Sequence, residues 1–178
     1  SILNQVDKMS TTIRQLLDFA RARPVEVEAV SAAHALGQAA ALLEHRFRQA
    51  NVALSVQVAP SLPSLAADRG QLEQVLVNLL INACDACAKG GAVVARAHAG
   101  DGDNEIVLEI ADDGCGIPPE QLAAVFDPFF TTKKRGQGTG LGLSIAADIV
   151  KNHGGRLILD SQVGTGTVAR IFWPQAQS

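Results

Sequence analysis

In "FDPFFTTKKRGQGTGLGLSIAADIVKNHGG", residues 126–155, glycines stand at 136, 138, 140 and 142 and run directly into an apolar helical pattern from about Leu141 to His153, which closes at Gly154 and Gly155. Glycines at every second position leave the backbone free to approach a partner closely. A helix N-terminus presents unpaired N–H groups and the positive end of its dipole, which together favour an anion. Lys133, Lys134 and Arg135 stand just before it. A row of phosphates suits that arrangement. The stretch is not a P-loop, since no Gly-Lys-Ser/Thr follows at the required spacing, and it departs from the G-x-G-x-x-G dinucleotide pattern. A flexible surface loop with a charge run is the alternative, but it gives no reason for so permissive a sequence to abut a helix start.

Two further motifs lie upstream. "ADDGCGIP", residues 111–118, follows an apolar strand pattern and places two glycines after an aspartate in D-x-G-x-G spacing. That spacing lets backbone approach a flat ligand while the carboxylate accepts a hydrogen bond from an exocyclic amine; a tight turn is the other reading. In "DRGQLEQVLVNLLINACDACAK", residues 68–89, Leu72, Val75, Leu79, Ala83 and Ala86 form a core-facing stripe, and Gln71, Gln74, Asn78, Asn82 and Asp85 form a second one. Amides are poor helix formers, and exposed helix faces usually carry Lys, Glu and Arg. Asparagines one turn apart therefore point to neutral oxygen ligands, for example to a magnesium ion that keeps most of its waters, or else to a merely polar face.

Around these motifs the elements alternate without a repeat. "VEVEAV" and "NVALSVQVA" read as strands flanking a helix from Ala32 to Gln49, with Ser31 as its N-cap. "PSLPSLAAD" reads as a loop, and Asp68 with Gln71 resembles a capping box opening the long helix, which runs to Lys89 and stops at Gly90–Gly91. "AVVARAHA" and "EIVLEIAD" form a hairpin, Pro118 and Pro119 begin a brief helix to Val125, and "RLILDS" and "GTVARIFW" close the domain. The fold class expected is α+β: a mixed sheet with helices on one face. Ahead of it, Ile2, Val6, Met9, Ile13, Leu16 and Ala20 recur every three or four residues as in a coiled coil or bundle helix that ends at Pro24. The domains are therefore residues 1–24, a bundle helix, and residues 25–178, the globular part.

The 178 residues are 47% hydrophobic with a net charge of −3, the profile of an ordinary globular protein and a poor match to a nucleic-acid backbone, so no nucleic-acid partner is expected. No apolar run approaches the roughly 18 residues needed to span a bilayer. The chain opens at Ser1 already inside a helical pattern and is expected to be part of something longer. Cys84 and Cys87 form a C-x-x-C pair without a second pair to complete a zinc site, so they read as reduced core residues, and the cytoplasm is the expected location. Cys115, between the two glycines at 114 and 116, is not read as catalytic.

Taken in this order, the motifs resemble the ATP-binding domain of sensor histidine kinases, in the superfamily shared with gyrase, Hsp90 and MutL, over about Val25 to Pro174. "NLLINA" is similar to the N box, "DDGCG" to the G1 box, "FDPFF" to the F box, "GTGLGL" to the G2 box and "GTGT", 164–167, to the last glycine motif. The resemblance implies a Bergerat fold, a two-layer α/β sandwich with a mostly antiparallel sheet, and ATP with Mg2+ as cofactors. It implies Asn82 as the magnesium ligand, Asp112 with Gly114, Gly116 and Ile117 at the adenine, and Asp85 and Thr167 as further ATP-binding residues. Phe129, Phe130, Thr132, Lys133, Gly136, Gly138, Thr139, Gly140, Leu141, Gly142 and Leu143 would form the lid and phosphate side, and Asn78, Asn82 and Lys133 the transfer machinery. ATP-hydrolysing members carry a glutamate base where this chain has Asn78, and an amide takes no proton at neutral pH. Transfer to an already nucleophilic imidazole needs positioning and charge neutralisation instead. The expectation is thus a histidine kinase whose full-length protein forms a homodimer, phosphorylates its own dimerisation and phosphoacceptor domain, and passes the group to a response-regulator aspartate. An Hsp90- or MutL-like ATPase and a non-catalytic docking module are the alternatives. None of His34, His45, His98 and His153 stands in a phosphoacceptor context, and His153 reads as a helix-dipole partner.

Overall fold

The computed structural model describes residues 2, 3, 6, 9, 10, 13, 14, 16, 17, 24–102, 104–133 and 138–177. Seven strands are described: β1 Glu28–Val30, β2 Ala53–Val58, β3 Leu65–Ala67, β4 Ala92–Ala99, β5 Glu105–Asp112, β6 Arg156–Gln162 and β7 Gly166–Pro174. The helices are α1 Ala32–Ala50, α2 Arg69–Ala86, α3 Pro119–Leu122 and α4 Gly142–Asn152, with a 3-10 turn at Ala124–Phe126. The main sheet has the order β2-β4-β5-β7-β6, and only the β2–β4 pairing is parallel; β1 and β3 make a separate antiparallel pair.

Strand alternation assigns the two faces. Ala95, Ile110 and Ala169 lie in one cross-strand row and Ala97, Leu108 and Ile171 in the next, all buried. The offset row holds Arg96, Glu109 and Arg170, joined by ion pairs of 2.8 and 3.0 Å. An apolar face under helices and a charged face open to water is the two-layer arrangement that a half-buried sheet requires.

α2 lies between α1 and α4. This corrects the two-stripe picture of the helix, because Leu76, Leu80 and Asn78 are buried together with Leu72, Val75 and Leu79. A fully buried leucine contributes roughly 1.5–3 kcal/mol, so α2 is the main apolar anchor of the helical layer. Its start is as expected, with Asp68 Oδ1 accepting the Gln71 amide at 3.1 Å. The capping box is completed from elsewhere: the Asp68 amide donates to His153 Nε2 at 3.1 Å. His153 Nδ1 lies 2.8 Å from the Ile149 carbonyl and its ring packs on buried Trp173. Nε2 accepts the Asp68 amide and Nδ1 faces a carbonyl, so the ring bridges two backbone groups. His153 is therefore a strut between α4 and α2, and it caps the C-terminus of α4 through the Ile149 carbonyl, in keeping with its reading as a helix-dipole partner.

Two other expectations are corrected. α2 ends at Ala86, short of Lys89, because the Ala86 carbonyl receives the Cys115 amide at 3.1 Å. β3 lies inside the segment read as a loop, where Leu65 and Ala67 are fully buried. At the N-terminus the described residues from 2 to 17 are helical, and Ile2, Val6, Met9, Ile13 and Leu16 are exposed rather than packed on the core. Ala20, the last residue of that seam, lies outside the described residues.

Candidate functional site

Asp112 ends β5, the middle strand of the main sheet, and the loop that follows it meets the C-terminus of α2 at Ala86. Its Oδ1 accepts the amides of Gly114 at 2.9 Å and Thr167 at 3.2 Å, an orientation fixed by two strands' worth of backbone. Among the described residues no donor reaches Oδ2, which is left to accept from outside. Burial pushes the Asp112 carboxyl above its ordinary value; the two amides work against that rise and Asp113 adds to it.

The glycines around Asp112 allow close packing within the chain itself. A Cβ on Gly114 would stand 2.6 Å from the Ala86 carbonyl oxygen, and one on Gly116, at φ +73°, 2.1 Å from that of Gln162. They bring the loop against α2 on one side and the β6–β7 turn on the other. Ser161 completes the junction. Its Oγ accepts the Ile117 amide at 2.8 Å, lies 3.1 Å from the Gly166 carbonyl and 2.7 Å from Thr167 Oγ1. With its single hydrogen given to Gly166, Ser161 receives the Thr167 hydroxyl, so Ile117 and Thr167 are held together beside Asp112. Sequence reasoning missed Ser161, since a lone serine in a strand carries no signal.

Along α2 from this corner stand Asp85, Asn82 and Asn78, one turn apart. Asn78 is 8% exposed and its Nδ2 donates to the Gly142 carbonyl at 3.0 Å, tying α2 to the first turn of α4. Asn82 is half-buried, and its side chain makes no hydrogen bond among the described residues. α4 begins at Gly142 without a side-chain cap, which leaves first-turn amides for another acceptor. Leu141 is buried and its carbonyl accepts the Ser144 hydroxyl at 2.9 Å, so it supports the start of α4, while Leu143 is half-buried.

The lid residues are partly described. Phe129, 66% exposed, sits at φ +67° and donates its amide to the Gly140 carbonyl at 2.9 Å. A Cβ on Gly140 would fall 2.4 Å from the Phe129 carbonyl carbon, so glycine is required there. Phe130 is half-buried and Thr132 exposed. Thr139 Oγ1 accepts the Leu141 amide at 3.3 Å. Lys133 reaches across to α2, where its Nζ is 2.5 Å from Asp85 Oδ2; Arg46 of α1 takes Asp85 Oδ1 at 2.7 Å. Burial would raise the Asp85 carboxyl, but Lys133 and Arg46 together bring it below its ordinary value. Arg46 is a second residue that the sequence did not single out. Lys134, Arg135 and Gly136 lie outside the described residues.

The donor set fits magnesium bound through water. Among the described residues no group of three His, Cys, Asp or Glu could enclose a metal ion. A single amide oxygen such as that of Asn82, with waters and phosphate oxygens, is the mode magnesium prefers. The three cysteines are free; Cys84 is buried, and burial with the Asp113 contact pushes the Cys87 thiol up to about 12.

Residues 67–177, well over half of the chain, match the family model described as histidine kinase-, DNA gyrase B-, and HSP90-like ATPase. The sensor kinase CckA of Brucella abortus (strain 2308) is 37% identical across 98% of this chain. That match spans 20% of the relative's own length, so this chain corresponds to about a fifth of it. Among solved structures, full-length ShkA in complex with AMPPNP superposes with a TM-score of 0.80 at 27% identity, over 99% of this chain and 37% of that one. The histidine kinase ThkA in complex with the response regulator TrrA gives a TM-score of 0.80 at 26% identity, over 98% of this chain and 49% of that one.

Proposed function

The chain belongs to the histidine kinase-, DNA gyrase B- and HSP90-like ATPase family, and from that premise we propose that it is the ATP-binding catalytic part of a two-component sensor histidine kinase. The observation that carries the reading is Asp112, held by two backbone amides with its second oxygen unclaimed at the end of a strand. That oxygen is an acceptor for the exocyclic amine of adenine. The α4 amides and the lid backbone take the phosphates, and Lys133 neutralises charge on the group being transferred. Asn82 is the residue that would hold magnesium, which supplies charge neutralisation between phosphate oxygens when bound.

Asn78 bears on the reaction type. Its amide is committed to Gly142, and neither its chemistry nor its burial allows it to deprotonate water. Positioning without a base favours transfer to an imidazole. The acceptor is a histidine on the protein's own dimerisation domain, with onward transfer to a response-regulator aspartate. The exposed apolar seam from Ile2 to Leu16 supports a bundle in a homodimer of the full-length protein. Among the described residues no helix is long and apolar enough to cross a membrane, and the reduced cysteines fit a cytoplasmic position for this part.

Asp112→Asn tests the site. The amide oxygen keeps the Gly114 and Thr167 bonds, but an NH2 replaces the acceptor that faces the adenine amine. Magnesium-ATP affinity measured by calorimetry is expected to fall about 10- to 100-fold, the value of a charge-assisted bond turned into a donor–donor contact. Unchanged affinity would remove Asp112 from the adenine site.

A further inference from the structure

Lys133 is not waiting in solvent for a phosphate: it is already paired. Its Nζ sits 2.5 Å from Asp85 Oδ2, its backbone amide donates to Thr131 Oγ1 at 3.1 Å, and its stem runs so close to Gly138 that a Cβ there would lie 2.9 Å from Lys133 Cδ. Asp85 stands one turn beyond Asn82 on α2 and is held on its other oxygen by Arg46, 2.7 Å away. One carboxylate thus carries two cations, one more than its charge requires. Asp85 and Arg46 stand on packed helices, whereas Lys133 stands on a loop with a flexible four-carbon stem, so Lys133 is the cation free to leave.

From this geometry, and resting on the ATP site proposed above, we infer that Asp85 is the resting partner of Lys133, surrendering it to a nucleotide phosphate, and that Arg46 makes the exchange possible by staying behind on Asp85. Without Arg46, departure of Lys133 would leave an unpaired carboxylate one turn from the magnesium ligand and facing the triphosphate, an arrangement that is costly at a partly buried site. With Arg46 in place the abandoned carboxylate remains neutralised. Asp85 and Arg46 are then positioning residues that set how much of Lys133 is available, and nucleotide affinity scales with that available fraction.

The test is magnesium-ATP calorimetry on the whole chain with four substitutions. Asp85→Asn releases Lys133 and is expected to tighten binding about twofold to fivefold, the range of a partly exposed ion pair. Lys133→Met weakens binding, and adding Asp85→Asn to it gives no further tightening, because no lysine is left to release. Arg46→Met weakens binding about threefold to tenfold, as expected for a carboxylate left unpaired beside the phosphates. Combining it with Asp85→Asn restores the tighter affinity, a rescue that simple damage to the α1–α2 contact would not show. Arg46→Lys, which keeps the charge, stays near wild type. Weaker binding by Asp85→Asn would overturn the inference and make Asp85 a direct ligand. Tightening that persists without Lys133 would overturn it in favour of a general field effect. Wild-type chain that binds no magnesium-ATP would instead fail the nucleotide reading itself.

Discussion

Two aspartates in one site are driven in opposite directions, and the difference is measurable. Asp85 is held below its ordinary 3.8 by Lys133 and Arg46 against the effect of burial, so its ionised form is favoured by folding. That stability is present above 3.8 and is lost as pH falls through the lower folded value. Asp112 is raised by burial, so its stability contribution is full below 3.8 and is lost as pH rises from there through the higher folded value. Urea midpoints across this range are therefore expected to lose acid-side dependence in Asp85→Asn and to hold up better than wild type near pH 7 in Asp112→Asn. Loss of stability in both would contradict the assignment. The thiols separate by the same logic: a maleimide at pH 7 should label exposed Cys115 first, with buried Cys84 and the raised Cys87 lagging well behind. Asp112 was legible in the sequence because a strand, an aspartate and two glycines each have a distinct signature. Arg46 and Ser161 were not, because an arginine on a helix and a serine in a strand look like solvated positions until tertiary contacts join them to Asp85 and Thr167.

Among the elements, period was legible and termination was not. β4 and β5 span the residues that alternation assigns, Ala92–Ala99 and Glu105–Asp112. α2 stopped before its glycines because a loop amide 29 positions away captured the Ala86 carbonyl, a contact that local sequence cannot announce. β3 was hidden by its length of three residues and by the prolines before it. The close joins between elements give a sharp prediction. A Cβ at Gly166, where φ is +133°, would lie 2.0 Å from the Asp112 carbonyl oxygen. Gly166→Ala must shift β7 away from β5 and is expected to cost ~2–3 kcal/mol. A Tm lower by roughly 5–10 °C in a thermal melt would follow for a domain of this size. A melt within a degree of wild type would mean that the β5–β7 junction yields easily.

At the scale of the whole molecule, a sheet with one charged face carries a helical layer whose middle member, α2, presents Asn82 and Asp85 to the same opening as Asp112 and the start of α4. At the position of Asn78 the opening has an amide, which takes no proton from water, and the described helical residues at the N-terminus keep their apolar seam exposed. Fold class and the order of motifs were readable from periodicity and glycine spacing; the state of the lid lysine, which depends on two helices and a loop meeting, was not. The central claim is transfer to a histidine, and it is tested by incubating this chain with magnesium and radiolabelled ATP together with a separate helical hairpin that bears a phosphoacceptor histidine. The account predicts acid-labile, base-stable phosphate on the hairpin, strongly reduced at subsaturating ATP when Asp112→Asn is used. Steady release of inorganic phosphate by this chain with no label on the hairpin would contradict it.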